Sequence, residues 1–110
     1  MLSMTSDLER AAERLEALGN PTRLGLYRLL VRAGETGLAV GELQARTGVA
    51  RSTLSHHLHR LIQAGLVGQE RQATTLICRA SDPAMHETLG FLVRECCAEA
   101  PPADAPPRSS

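Results

Sequence analysis

The stretch TGVARSTLSHHLHRLIQAGLV, residues 47–67, decides the fold. Four aliphatic residues recur within it at helical spacing: Leu54, Leu58, Leu61 and Ile62. That spacing predicts an amphipathic helix over residues 50–65, which Gly65 ends. A short glycine-containing turn, residues 47–50, precedes this helix. Such a turn between two helices is typical of a helix-turn-helix, whose second helix enters the major groove of DNA.

The outward face of this helix carries the hydrogen-bonding side chains that DNA recognition requires. With the aliphatic positions facing inward, the exposed candidates for contacting bases and phosphates are Arg51, Ser52, Thr53, Ser55, His56 and His59. Arg51 is the best candidate for reading a guanine, because a guanidinium donates two hydrogen bonds to that base. His57 lies on the inner face between Leu54 and Leu61, so we expect it to be packed and hydrogen-bonded.

The remaining segments predict the other elements of a winged helix. Periodicity and breaker residues predict helices over residues 6–17, 21–32 and 39–47, a turn over 33–37, strands over 66–71 and 74–80, and a last helix from residue 81 or 82 to Cys96 and Cys97. The fold class is therefore mainly α with a β-hairpin wing, in the order α-α-α-α-β-β-α. The hairpin loop near residues 72–74 lacks an Asn-Gly or Asp-Gly pair, which predicts a longer or looser tip. Arg71 and Gln72 at this tip are candidates for contacting the flanking DNA.

A single domain is expected for a chain of 110 residues. We expect it to span residues 6–99, with disordered ends at residues 1–5 and in the proline-rich tail at 100–110. No apolar run approaches the length of a membrane helix and the start does not resemble a signal peptide, so we expect a cytoplasmic protein without a membrane partner. No nucleophile-and-base constellation and no glycine-rich phosphate loop occurs, so we do not expect an enzyme.

Charge is distributed unevenly although the net charge is zero. Residues 46–80 contain five arginines and one glutamate, a balance of +4, whereas residues 1–20 contain two arginines and four acids, a balance of −2. A basic centre suits a DNA-binding module. On charge alone, an unevenly charged solvated surface remains an alternative.

Two motifs and the hairpin carry a resemblance to a known family. EALGNPTRLGLYRLL, residues 16–30, and STLSHHLHRLIQAGLV, residues 52–67, resemble the opening helix and the recognition helix of the ArsR/SmtB bacterial repressors. The resemblance covers about residues 8–97. It implies a homodimer formed through the first and last helices, which binds an inverted repeat in double-stranded operator DNA. It also implies that a ligand releases the protein from that operator.

Family members sense ligands at several sites, and this sequence matches them unequally. The arsenic and cadmium site of the third helix resembles ELCVCDL, but residues 41–47 read GELQART and contain no cysteine. For the zinc site of the last helix, Asp82, His86 and Cys97 preserve only fragments of the family pattern. GFLVRECC, residues 90–97, is similar to the end of the last helix in an arsenic-responsive branch. That similarity implies a metalloid site at Cys96 and Cys97.

The ligand suited to this cysteine pair depends on how many thiolates are available. Some members of that branch carry a third cysteine after the pair, and this chain does not. Two thiolates suit a methylated or aryl trivalent arsenical, or antimonite with another donor, and we expect no permanent cofactor. Cys78 is a candidate third ligand, although a buried strand thiol is its simpler interpretation. Redox sensing, ligand-independent regulation and a winged-helix interaction module that does not bind DNA are the alternatives.

Overall fold

The computed structural model describes residues 2–96, with side chains from residue 6 onward. Its elements are α1 (Leu2–Leu18), α2 (Pro21–Ala33), a 3-10 turn (Gly34–Thr36), β1 (Leu38–Ala39), α3 (Val40–Thr47), α4 (Arg51–Gln63), β2 (Val67–Gln72), β3 (Thr75–Ala80) and α5 (Asp82–Cys96). The predicted fold class, mainly helical with an antiparallel hairpin wing, is confirmed. The proline-rich tail and Cys97 lie outside the described residues.

The start of the first helix differs from the prediction. α1 begins at Leu2, whereas the sequence predicted a helix that starts at residue 6. Residues 2–5 contain neither glycine nor proline, and nothing in them ends a helix before Ser6. The inward face of α1 consists of Ala11, Arg14 and Ala17, while Leu8 and Leu15 are exposed.

The starts of the second and last helices follow their capping residues. Asn20 precedes α2, and its side chain accepts a hydrogen bond of 3.0 Å from the N–H of Arg23, with Pro21 at the first helical position. Ser81 caps the start of α5, because its hydroxyl oxygen accepts a hydrogen bond of 3.3 Å from the N–H of Ala84.

The sheet contains one more strand than predicted. β1 pairs antiparallel with β3, which places Leu38 opposite Cys78 and gives the strand order β1-β3-β2. A strand of two residues carries no periodicity that a sequence could reveal. The hairpin tip is also tighter than predicted, because Gln72 pairs with Thr75 and only two residues form the loop. Ala73 adopts a φ of 58°, the left-handed conformation that such a loop requires, without a glycine.

The core is built from leucines of α2, α3 and α4 and of the start of the wing. The leucines exposed by 1% or less are Leu26, Leu30, Leu43, Leu54, Leu61 and Leu66. Burying one leucine side chain stabilises a fold by roughly 1.5–3 kcal/mol. Since one face of α4 is anchored in this core, its opposite face is fixed toward solvent. In the described part of the chain, every helix is too short or too polar to span a bilayer.

Candidate nucleic-acid interface

The outward face of α4 is arranged as the sequence predicts. Leu54, Leu58 and Leu61 are at most 2% exposed. All six predicted DNA-contacting residues of this helix are exposed: Arg51, Ser52, Thr53, Ser55, His56 and His59. The helix therefore presents a polar surface that a ligand or a nucleic acid can reach.

A tight turn delivers the N-terminus of α4 to the surface. Gly48 ends α3 in the left-handed conformation, with a φ of 72°, and its N–H donates to the carbonyl of Gln44. The hydroxyl of Thr47 accepts from the N–H of Val49 at 3.2 Å, which closes the turn. Ala50, at the N-cap of α4, offers no capping side chain, and among the described residues no other side chain caps this position. The first N–H groups of α4 are thus available to an anion such as a DNA phosphate.

Arg51 and the wing residue Arg71 line a common cleft. This cleft, of ≈ 490 Å³, lies between the starts of α3 and α4 and the hairpin, and the hydroxyl-bearing residues Thr74 and Thr75 also line it. Two guanidinium groups and two hydroxyls suit the phosphates of a nucleic-acid strand. Gln72 is exposed at the same end of the wing. The structure therefore brings together the candidates that the sequence placed on two separate elements.

A second groove separates α4 from β2. Arg51, Ser55 and His59, four residues apart along one face of α4, line it opposite Gln69. Ser52 and His56 form the adjacent row on the helix. The wing's one nearby acid, Glu70, is paired with Arg79, whose Nη1 lies 2.6 Å from its carboxylate. Hydrogen bonding to Arg79 lowers the pKa of Glu70. The positive charge of Arg79 offsets the negative charge of Glu70, which would otherwise repel a DNA phosphate near Arg71.

His57 is a packed residue, as its position predicts. It is half-buried, and its Nδ1 lies 3.2 Å from Nη1 of Arg23. Burial lowers the pKa of His57, and the positive charges of Arg23 and His56 lower it further. The neutral ring is favoured, and its unprotonated nitrogen accepts from Arg23. Since Arg23 also donates to the carbonyl of Ala17 at 2.7 Å, it joins the end of α1 to α4.

Comparison with similar proteins shows the family to which this helix-turn-helix and wing belong. A family model described as a helix-turn-helix domain matches residues 18–70. The nodulation protein NolR of Rhizobium meliloti is 38% identical over 86 residues, which are 78% of this chain and 68% of that protein. The solution structure of the homodimeric winged helix-turn-helix DNA-binding domain of Mb0332 from Mycobacterium bovis, a possible ArsR-family transcriptional regulator, shares 25% identity with a TM-score of 0.63 and covers 91% of each chain. This chain belongs to the ArsR family.

Membership in the ArsR family makes the chain a DNA-binding transcriptional regulator rather than an enzyme. A further relative is the putative arsenical resistance operon repressor ArsR2 of Halobacterium salinarum, 38% identical over 72 residues, which are 66% of this chain and 56% of that protein. The matched residues 18–70 include α4 and most of the first wing strand. The family model therefore covers the helix-turn-helix and the start of the wing.

The cysteines of this ArsR-family chain lie in different surroundings. Cys96 is exposed at the last described residue of α5, and Cys97 lies beyond it. Cys78 is fully buried on β3, where the side-chain amide of Gln69 donates to its sulfur at 3.4 Å. Burial raises the pKa of the Cys78 thiol. A ligand could reach this sulfur only by entering the core, so its surroundings fit a structural thiol and disfavour a third metalloid ligand.

The fragments of the family's zinc pattern do not assemble a site within residues 2–96. Nδ1 of His86 lies 3.1 Å from the backbone carbonyl of Asp82, a contact along one exposed turn of α5. In this part of the chain, no group of three His, Cys, Asp or Glu side chains is close enough to hold a metal ion.

One residue that the sequence did not single out is Arg14. Only 8% exposed, it donates hydrogen bonds to α5 and to the residue that follows α4. Its helical spacing from Ala11 and Ala17 could have indicated an inward position. Arginine is so often on the surface that the pattern alone favours solvent.

Proposed function

We propose that this ArsR-family regulator is a dimeric repressor that places the α4 helix of each subunit in the major groove of an inverted-repeat operator. One observation carries the proposal: the exposed polar face of α4, with Arg51 at its uncapped start, stands beside Arg71 of the wing. Side chains on such a helix read base edges, while the wing arginine contacts phosphates of the flanking backbone.

Exposed aliphatic side chains support the dimer. Leu8 and Leu15 on α1 are 56% and 44% exposed, and Leu89 and Val93 on α5 are 51% and 63% exposed. These helices pack against each other, so a second copy could cover both at once. Burial of apolar surface contributes about 25 cal/mol per Å². Two-fold pairing through α1 and α5 would present two α4 helices to two half-sites.

Salt-dependent DNA binding tests the repressor proposal. We expect the wild-type protein to bind a duplex from upstream of its own gene more tightly than a scrambled duplex of equal composition. The logarithm of the binding constant should fall linearly with the logarithm of salt concentration, with a slope of about −0.9 for each phosphate contacted. Fluorescence anisotropy of labelled duplexes measures both quantities. No measurable binding to either duplex at any salt concentration would instead support a winged-helix interaction module.

The inducer we propose is a trivalent arsenical, methylated or aryl, or antimonite, bound by Cys96 and Cys97. The exposure of Cys96 and the burial of Cys78 support a site at the end of α5 that does not include Cys78. The relative ArsR2, named for arsenical resistance, is in keeping with such a ligand. Joining the sulfurs of two adjacent residues to one atom would close a small ring and distort the chain at the end of α5. That distortion would move α5 at the dimer interface and misalign the two α4 helices.

Cysteine substitutions test the inducer. Arsenite, phenylarsine oxide and antimonite should release the wild-type protein from DNA. Phenylarsine oxide and antimonite, which two thiolates can hold, should act at lower concentrations than arsenite. The Cys96→Ser/Cys97→Ser double variant should bind the same duplex and ignore all three compounds. Cys78→Ala is the matched control and should respond like wild type, because its thiol is enclosed. A wild-type complex unaffected by every metalloid would contradict the proposal, and release by diamide alone would assign the pair to redox sensing.

A further inference from the structure

A single buried cation joins three helices. The Nε of Arg14 in α1 donates to the backbone carbonyl of Ala64 at 2.9 Å. Its Nη1 lies 2.8 Å from a carboxylate oxygen of Glu87 and 3.3 Å from both the carbonyl of Ala84 and the hydroxyl of Thr88. The last three residues belong to α5, whereas Ala64 caps α4. One guanidinium therefore contacts the end of the recognition helix and the face of α5.

The end of α4 is shaped to receive this guanidinium. The carbonyl of Ala64 lies beyond the last intrahelical hydrogen bonds, where helix carbonyls lack partners and a positive charge is stabilising. Gly65 follows with a φ of 77°, and a Cβ there would lie 3.3 Å from Nη2 of Arg14. The glycine thus permits both the backbone turn and the close approach of the arginine.

Residues of α5 neutralise and orient the guanidinium group of Arg14. Hydrogen bonding to Arg14 lowers the pKa of Glu87, so the carboxylate stays ionised beside the guanidinium. Thr88 is 2% exposed, and its hydroxyl donates to the carbonyl of Ala84 at 2.8 Å, which turns its oxygen lone pairs toward Arg14. Five donors in one plane allow arginine, unlike lysine, to engage both helices at once.

We infer that Arg14 is a positioning residue that fixes the angle of α4 relative to α1 and α5, and with it the half-site spacing that the dimer accepts. The inference rests on the proposed operator binding. α1 and α5 carry the exposed aliphatic side chains of the proposed dimer interface, whereas α4 carries the DNA contacts. Arg14 is a buried polar link between these parts. The side-chain ion pair between α1 and α4, Glu16 with Arg60, is solvent-exposed and therefore contributes little.

A structural role and a positioning role predict different DNA-binding behaviour. If Arg14 only stabilised the fold, its loss would lower the folded fraction and reduce affinity for every duplex by the same factor. If it positions α4, the folded variant keeps its phosphate contacts but loses the geometry that matches one spacing. Discrimination between operators of different half-site spacing is therefore the diagnostic quantity.

The test uses the full chain and an operator that the wild-type protein selects from a random duplex library. Derived duplexes carry one or two base pairs inserted or deleted between the half-sites. Arg14→Lys should remain a folded dimer and bind the selected operator about tenfold more weakly, the loss typical of a hydrogen bond to a charged group. Its affinity for the altered spacings should change less than about twofold, so that discrimination collapses. Glu87→Ala, at an exposed position that the fold tolerates, should show a smaller loss of the same kind.

Arg10→Gln is the matched control, because Arg10 lies one turn earlier on α1 and its side chain pairs with Asp7 of the same helix. It should retain wild-type spacing discrimination. Full discrimination in folded Arg14→Lys and Glu87→Ala variants would overturn the inference alone. A wild-type protein that selects no sequence would overturn the proposed function, and this inference with it.

Discussion

Replacing Gly37 by alanine should destabilise the protein by about 3–5 kcal/mol, the sum of backbone strain and steric overlap. Gly37 has a φ of 69° and a ψ of −173°, a conformation that side-chain-bearing residues rarely adopt. A Cβ there would lie 2.5 Å from the carbonyl oxygen of Cys78 and 2.8 Å from Cγ of Arg79. Because Cys78 pairs with both neighbouring strands, that carbonyl can move only if the sheet moves.

Gly34 provides the matched control for Gly37. Its φ of 63° and ψ of −146° are similarly unfavourable for alanine, but apart from its chain neighbours no heavy atom of the described residues lies within 4 Å of a Cβ built there. Gly34→Ala should therefore lose only the strain contribution, about 1–3 kcal/mol. Urea denaturation followed by circular dichroism measures both free energies of unfolding. Equal losses in the two variants would show that the approach of β3 to Gly37 is not as close as described.

The elements that the sequence predicted well are those with a strong local signal. The four leucine and isoleucine positions of α4 fixed its register, and the Asn20-Pro21 pair fixed the start of α2. Both are interactions within a few residues, which a sequence displays directly. The exposed residues of α4 followed from the same register, so most of the candidate interface could be predicted.

The features that the sequence missed depend on distant partners. β1 exists because Leu38 and Ala39 pair with β3, about 40 residues later. Arg14 is buried by contacts with residues that lie 50 to 74 positions later in the chain, so its neighbours in the sequence do not reveal its burial. The tight hairpin tip required Ala73 to accept a positive φ, which the pairing of β2 with β3 imposes against its local preference. Contacts between residues that are distant in the chain produce no periodic pattern in the sequence.

Loss of Arg51 and Ser55 together should remove most sequence-specific DNA binding. Each base-reading contact contributes about 1–3 kcal/mol, so two such contacts correspond to a combined loss of about 2–6 kcal/mol. Both side chains are exposed and line the groove between α4 and β2, so the Arg51→Ala/Ser55→Ala variant should fold and dimerise like wild type. Thr22→Ala/Gln63→Ala, at exposed positions outside the predicted contact set and the cleft beside Arg71, is a control for the number of substitutions.

The most direct test of the account is the ratio of affinities for the selected operator and a scrambled duplex, measured for wild type and for Arg51→Ala/Ser55→Ala at one salt concentration. The account predicts a large ratio for wild type that falls by roughly 30-fold or more in the variant, as two lost contacts require. Binding to the scrambled duplex should weaken far less, because Arg71 and the N-terminus of α4 remain. An unchanged ratio in the folded double variant would contradict the assignment of α4 as the recognition helix.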